Sequence, residues 1–181
     1  MSGYRTRLKW CRREQCLTSK VPAELKLWLY DDSSLTAKII DACGGRFRVE
    51  VLSEVRTTPT PDEIQALGLR HRSHAIIRQV LLYCDDRPWV YARSVIPMTT
   101  LIGPLRRLSK LGNKPLGAIL FSNKRIIRSH MEITRLKSEH PCYSWTGHVG
   151  KELIPGRRSI FSLYKKTVLV SEFFLPEIVR K

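Results

Sequence analysis

The sequence predicts an α+β fold: one domain, with an antiparallel sheet of about six strands and helices gathered on one side. Two hairpin patterns predict the sheet. Apolar runs at 74–84 and 87–96 flank Asp85-Asp86, and runs at 157–164 and 167–175 flank Lys165-Lys166. Helical patterns at 19–43, 61–67, 98–111 and 115–121 supply the α part. A chain of 181 residues suits one domain spanning 1–181 and needs no disulfide or metal staple.

The elements follow in order. Residues 1–18 read as a basic N-terminal arm, with no apolar signal core behind its arginines. Pro22 suits a first helical position, and Leu25, Trp28 and Leu29 form an apolar stripe. Asp31 to Ser34 break that helix and cap a second, which runs through Leu35, Ile39 and Ile40 to Gly44-Gly45. Alternation from Arg46 to Val55 predicts a strand. Thr60-Pro61-Asp62-Glu63 is a capping box that opens a short helix. The first hairpin follows, then helices at 98–111 and 115–121 separated by Gly112-Asn113, and a strand over 126–134. Residues 136–155, with Pro141, Gly147, Gly150 and Pro155, read as a loop before the second hairpin.

Thirty-two Lys and Arg against 16 Asp and Glu give a net charge of +16. Such an excess attracts nucleic acid, anionic membrane or acidic metabolites. Seven bases and no acid lie between Leu105 and Arg128, interleaved with apolar residues as on a folded face. No apolar run approaches the ~20 residues of a bilayer-spanning helix. Five irregularly spaced cysteines suggest no disulfide framework and fit a reducing cytoplasm. His140, Cys142 and His148 lie close in sequence but do not make a zinc pattern, and no metal is expected.

The informative residues are charges on apolar strand faces. Alternation puts Arg78 with Ile76, Val80 and Leu82, Arg93 with Trp89, Tyr91 and Val95, and Glu172 with Val168, Val170 and Phe174. A buried charge needs a partner or a ligand. If Glu172 pairs with one arginine, the other remains for a ligand. Two Arg and one Glu suit a small, rigid, multiply anionic molecule that also carries a hydroxyl.

Several motifs then resemble one family. Ala92-Arg93-Ser94-Val95-Ile96-Pro97, Thr99-Thr100-Leu101-Ile102-Gly103-Pro104 and Lys110-Leu111-Gly112 with Lys114-Pro115-Leu116-Gly117 occur in order. Gly156-Arg157-Arg158-Ser159 and Ser171-Glu172-Phe173-Phe174-Leu175-Pro176 close the chain. Together they resemble the bacterial chorismate pyruvate-lyase family from about Leu8 onward. The resemblance implies conversion of chorismate to pyruvate and 4-hydroxybenzoate, the ring precursor of ubiquinone, with no cofactor. It implies a closed pocket under two helical flaps. Arg78 and the Leu116 N–H would bind the ring carboxylate, Glu172 would meet the hydroxyl, and Leu35 would act as an apolar lid. The inward position expected of Arg93 assigns it to the enolpyruvyl side, as a catalytic residue with Glu172. Against the family, residues 136–155 look like an inserted loop.

Two other functions are open to the sequence. Effector-binding domains of transcription regulators share the fold, but they follow a DNA-binding region for which about 20 residues leave no room. A nucleic-acid-binding protein would interleave aromatics with bases on an exposed sheet, whereas Trp89, Tyr91, Phe173 and Phe174 read as core. The expectation is therefore a cytoplasmic monomer that binds chorismate and 4-hydroxybenzoate and no nucleic acid. Its basic surface would allow peripheral contact with anionic membrane.

Overall fold

The computed structural model describes residues 7–15, 21–44 and 46–180. Much of the 1–18 arm, and the starts of the helical stretch at 19–43, therefore lie outside the described residues. Among the described residues eight strands form one sheet: β1 (Cys11–Arg12), β2 (Phe47–Thr57), β3 (Ala75–Cys84), β4 (Arg87–Pro97), β5 (Ile127–Arg128), β6 (Glu132–Leu136), β7 (Ile154–Leu163) and β8 (Lys166–Phe174). The order is β1-β6-β7-β8-β4-β3-β2, with β5 also on β7, and each pairing is antiparallel. Six of these are the expected long strands. The extra two are two-residue pieces: β1 from the arm, and β5, cut from β6 where the predicted strand at 126–134 breaks.

Side-chain alternation divides the sheet into two faces. On the front face, Val90, Ala92 and Ile96 of β4 meet helices α1 (Ala23–Leu29), α2 (Leu35–Cys43) and α4 (Leu116–Ser122) through Leu25, Leu29, Leu35, Ile39, Leu116 and Leu120. The reverse face holds a second core, in which Tyr91 packs with Phe173 and Tyr143, and Val95 with Ala66 and Leu67. Helix α3 (Pro61–Leu67) lies there. Three of the four α-helices thus share one side as expected, and α3 departs because its Glu63 is drawn to a buried arginine behind the sheet.

Local chemistry explains most boundaries. Ser34 caps α2 by accepting from the Ala37 N–H, and Gly44 ends it in the left-handed region at φ 67°. The Glu63 carboxylate accepts from the Thr60 N–H at 2.8 Å, as the capping box requires. The last hairpin turns one residue earlier than read. Tyr164 and Lys165 both have positive φ, and Leu163 pairs with Lys166. Residues 98–111 form two 3-10 turns (Met98–Thr100 and Gly103–Ser109) in place of one α-helix, since Gly103-Pro104 interrupts the helical ladder. The stretch at 136–155 contains a 3-10 turn at Pro141–Thr146 that buries Tyr143 against the reverse face.

The cysteine reading needs correction: Cys43 is bonded to Cys84, with Cα atoms 5.4 Å apart. The pair is 41 residues apart in sequence, and only the β2–β3 register, which sets Phe47 opposite Cys84, brings it together. No helix among the described residues is long and apolar enough to cross a membrane.

Candidate functional site

A narrow cavity of about 50 Å³ lies between the front face and helices α2 and α4. Its floor is flat because β4 contributes only Ala92 and Ser94, flanked by Val80 and Val170. Leu35 and Thr36 of α2 and Leu116, Gly117 and Leu120 of α4 form the roof. The two roof helices approach closely. A Cβ built on Gly117 would lie 3.0 Å from the Thr36 hydroxyl, so glycine lets the flaps touch.

Two charged side chains enter this apolar slot, Arg78 and Glu172. Arg78 pairs in register with Ser94, and Glu172 with Ala92, so β4 lies between them. Two strand spacings separate their backbones by roughly 10 Å.

Arg78 is 2% exposed. It donates to Glu54 at 2.6 Å and to the carbonyls of Gly112 and Lys114 at 2.8 and 3.2 Å. Those two carbonyls fix the segment that leads into α4. Leu116, its first residue, has an N–H with no acceptor inside the helix. Three of the five N–H donors of Arg78 have these partners among the described residues, and two remain for an anion.

Glu172 is held from behind. Its carboxylate accepts from Arg157 Nε at 2.6 Å. Arg157 is 1% exposed and also donates to the backbone carbonyls of Trp28 and Asp31, at the end of α1 and the turn into α2. One guanidinium thus ties the acidic end of the slot to the base of a flap. Asp31 strengthens the same turn. Partial burial pushes its carboxyl up, but hydrogen bonds from Lys38 and Ser33 outweigh this and hold it at about 2. Arg128 donates to Ser159 and the Asp32 carbonyl close by. Its pKa is lowered by burial and then by the neighbouring Arg157.

The cavity therefore brings together Arg78, Glu172, Leu116 and Leu35, and leaves out Arg93. Arg93 points to the reverse face, where both its Nε and Nη2 donate to Glu63, at 2.7 and 3.1 Å. The cause is a β-bulge. At the turn Cys84 pairs with Arg87, and continuing that register would set Arg78 opposite Arg93. The register shifts between Leu82 and Tyr83, so Arg78 pairs with Ser94 and Arg93 moves to the other face. Sequence reasoning also missed Arg157. Its signal was the Arg157-Arg158 pair at the start of an apolar strand, which must send one guanidinium to each face. Arg158 takes the reverse face, with Asp62 and Glu132.

Fold and site together define a class: α+β domains with a small cavity between one sheet face and two helical flaps. Solved structures with this fold include the effector domain of PhnF from Mycobacterium smegmatis, at a TM-score of 0.57 and 11% identity over 77% of this chain and 87% of that one. The C-terminal domain of the histidine utilization repressor from Pseudomonas syringae pv. tomato gives 0.57 and 9%, over 75% and 96%. Within that class the family is specific, because residues 5–181 match the family described as Chorismate lyase. A probable chorismate pyruvate-lyase of Methylococcus capsulatus is 39% identical over 158 residues, 86% of this chain and 96% of that protein. One from Pseudomonas aeruginosa is 40% identical over 169 residues, 93% and 92%. The chain belongs to the chorismate lyase family.

Proposed function

We propose that this protein eliminates pyruvate from chorismate and leaves 4-hydroxybenzoate, the ring that enters ubiquinone. The observation that carries this reading is the apolar slot with a buried cation at one end and a clamped carboxylate at the other. The two guanidinium N–H donors that Arg78 has left suit the ring carboxylate, and an acceptor-only carboxylate suits a hydroxyl.

In the reaction, the C4–H proton leaves and the C3–O bond breaks. The electron pair of that bond departs with the enolpyruvate oxygen, and the released enolate becomes pyruvate when its methylene carbon gains a proton. Aromatisation supplies the driving force, so the protein's work is positioning and charge stabilisation. Arg78 and the Leu116 N–H anchor the ring carboxylate. Glu172, held by Arg157, accepts from the 4-hydroxyl and sets the ring's orientation. Leu35 and Leu120 close over the ring and exclude water. The enolpyruvyl carboxylate needs a cation on the same face, a role that passes from Arg93 to Arg128 beside the Glu172 end. No step in this scheme calls on a metal or an organic cofactor.

The rival reading is a binding-only effector domain of the same fold. Purified protein incubated with chorismate separates the two. Equal amounts of 4-hydroxybenzoate, read by absorbance, and pyruvate, read by a coupled reductase, are expected. Tight 4-hydroxybenzoate binding without turnover would favour the effector reading. Cytoplasmic location and a monomeric state go with the enzyme reading. The exposed bases Arg106, Arg107, Lys110, Lys114 and Lys124 support peripheral contact with anionic membrane.

A further inference from the structure

The basic surface and the roof of the slot meet on one ridge. All sixteen acids of the chain lie outside two stretches, Met98 to Met131 and Leu153 to Ser171. The structure folds these stretches together. Ile127 pairs with Ser162, the Phe121 and Phe161 rings pack at 5.7 Å between centroids, and Arg125 donates to the Tyr164 hydroxyl at 2.8 Å. Three large apolar side chains stand out of this ridge: Ile127 at 70% exposed, Tyr164 at 63% and Phe121 at 41%. The exposed bases Lys124, Arg125 and Lys165 lie beside them in the chain.

Phe121 also belongs to the slot. It sits in the last turn of α4 and lines the cavity together with Phe161, while much of its ring faces solvent. One side chain thus joins the candidate ring site to the outer surface, and moving it outward widens the slot at that end. The ridge suits few occupants. A second copy meeting it face to face would bring the same positive charge. Ile127 is the most exposed of the three, and an aliphatic side chain gives a nucleic-acid base no face to stack on. Bases beside exposed apolar side chains fit an anionic lipid surface, where the headgroups meet the charges and the acyl boundary takes the apolar tips.

We infer that this ridge seats on an anionic bilayer, with Phe121, Ile127 and Tyr164 entering the headgroup–acyl boundary. Seating draws Phe121 out of the slot, so that a bound ring exchanges faster. Membrane contact thereby controls the flap, because α4 is both roof and docking element. The coupling rests on the ring-site reading of the slot, whereas the docking stands on the exposed side chains alone.

Flotation of the full-length protein with vesicles tests the docking. Vesicles of equimolar phosphatidylcholine and phosphatidylglycerol should carry it, vesicles of phosphatidylcholine alone should not, and salt at about 0.5 M should release it. Ile127→Asp should weaken flotation at least ~10-fold and Lys124→Glu at least ~5-fold. Both residues lie outside the slot lining, so without vesicles both variants should bind 4-hydroxybenzoate as the parent does, which also shows that they fold. Should either not fold, the other decides. Exchange of radiolabelled 4-hydroxybenzoate against excess unlabelled ligand tests the coupling. Anionic vesicles should speed it at least ~3-fold for the parent and leave it unchanged for Ile127→Asp. No flotation on anionic vesicles, equal flotation on both vesicle types, or unchanged flotation in both variants would each overturn the docking. Binding of single-stranded RNA without flotation would assign the ridge to nucleic acid instead. Unchanged exchange on vesicles that carry the protein would overturn the coupling. A protein that floats but binds no 4-hydroxybenzoate would refute the ring-site reading and the coupling with it, and leave the docking surface standing.

Discussion

Arg157 is the residue on which the front site depends most. Arg157→Met removes a guanidinium that is 1% exposed and donates to Glu172 and to two carbonyls of the α1–α2 turn. Glu172 then keeps a largely buried charge, its side chain 17% exposed, with no partner. Breaking a buried pair from one side costs about 3–5 kcal/mol. For a chain of this size that lowers the melting temperature by roughly 6–20 °C, at about 2–4 °C per kcal/mol. Adding Glu172→Met removes the stranded charge, so the double variant should recover at least ~1.5 kcal/mol. It should not recover fully, because the Trp28 and Asp31 carbonyls still lack their donor. Urea unfolding at pH 7, followed by tryptophan fluorescence, measures all three proteins. A single variant within ~1 kcal/mol of the parent, or a double variant no more stable than the single, would refute the claim that Arg157 holds a buried Glu172.

Three further outcomes follow from the flaps and their anchors. Asp31, at about 2 in the folded chain and ~3.9 when unfolded, adds stability that is present above pH 4 and lost as pH falls toward 2. Asp31→Asn should flatten the stability–pH curve in that window, and an unchanged slope between pH 4 and 2 would contradict the anchor. Gly117→Ala puts a methyl 3.0 Å from the Thr36 hydroxyl, so 4-hydroxybenzoate affinity should fall, and Thr36→Ala should restore it. Calorimetric titration checks both, and no loss in the first variant removes the close-approach argument. Reducing Cys43–Cys84 opens a cross-link across 41 residues, for which chain entropy predicts a loss of about 4 kcal/mol. Thermal melts with and without reductant measure it, and equal melting temperatures would show that the bond does not constrain the fold.

The elements governed by local rules were legible in the sequence. The capping box at Thr60–Glu63, the helix stop at Gly44 and both hairpins rest on contacts within a few residues, and each appears close to where it was read. Arg78 and Glu172 were legible too, because a charge between apolar neighbours two apart is visible in one strand. Arg93 shows where such reading stops. Its own strand marks it as buried but does not say on which face, and a single bulged residue near the turn decided that. The Glu63 partner of Arg93, the Arg157 clamp and the Cys43–Cys84 bond were hidden for the same reason. Each joins residues 15 to 41 apart in sequence, and only the assembled sheet sets them side by side.

In the proposed reaction Arg78 marks the carboxylate end of the ring site. A cycle of two ligands and two proteins tests it: 4-hydroxybenzoate and phenol, each titrated into the parent chain and into Arg78→Ala. The parent should prefer 4-hydroxybenzoate by at least ~10-fold, as one charge-assisted hydrogen bond requires, and Arg78→Ala should bind the two ligands almost equally. If the folded variant keeps the full preference for 4-hydroxybenzoate, the carboxylate is held elsewhere and the orientation assigned to the substrate is wrong.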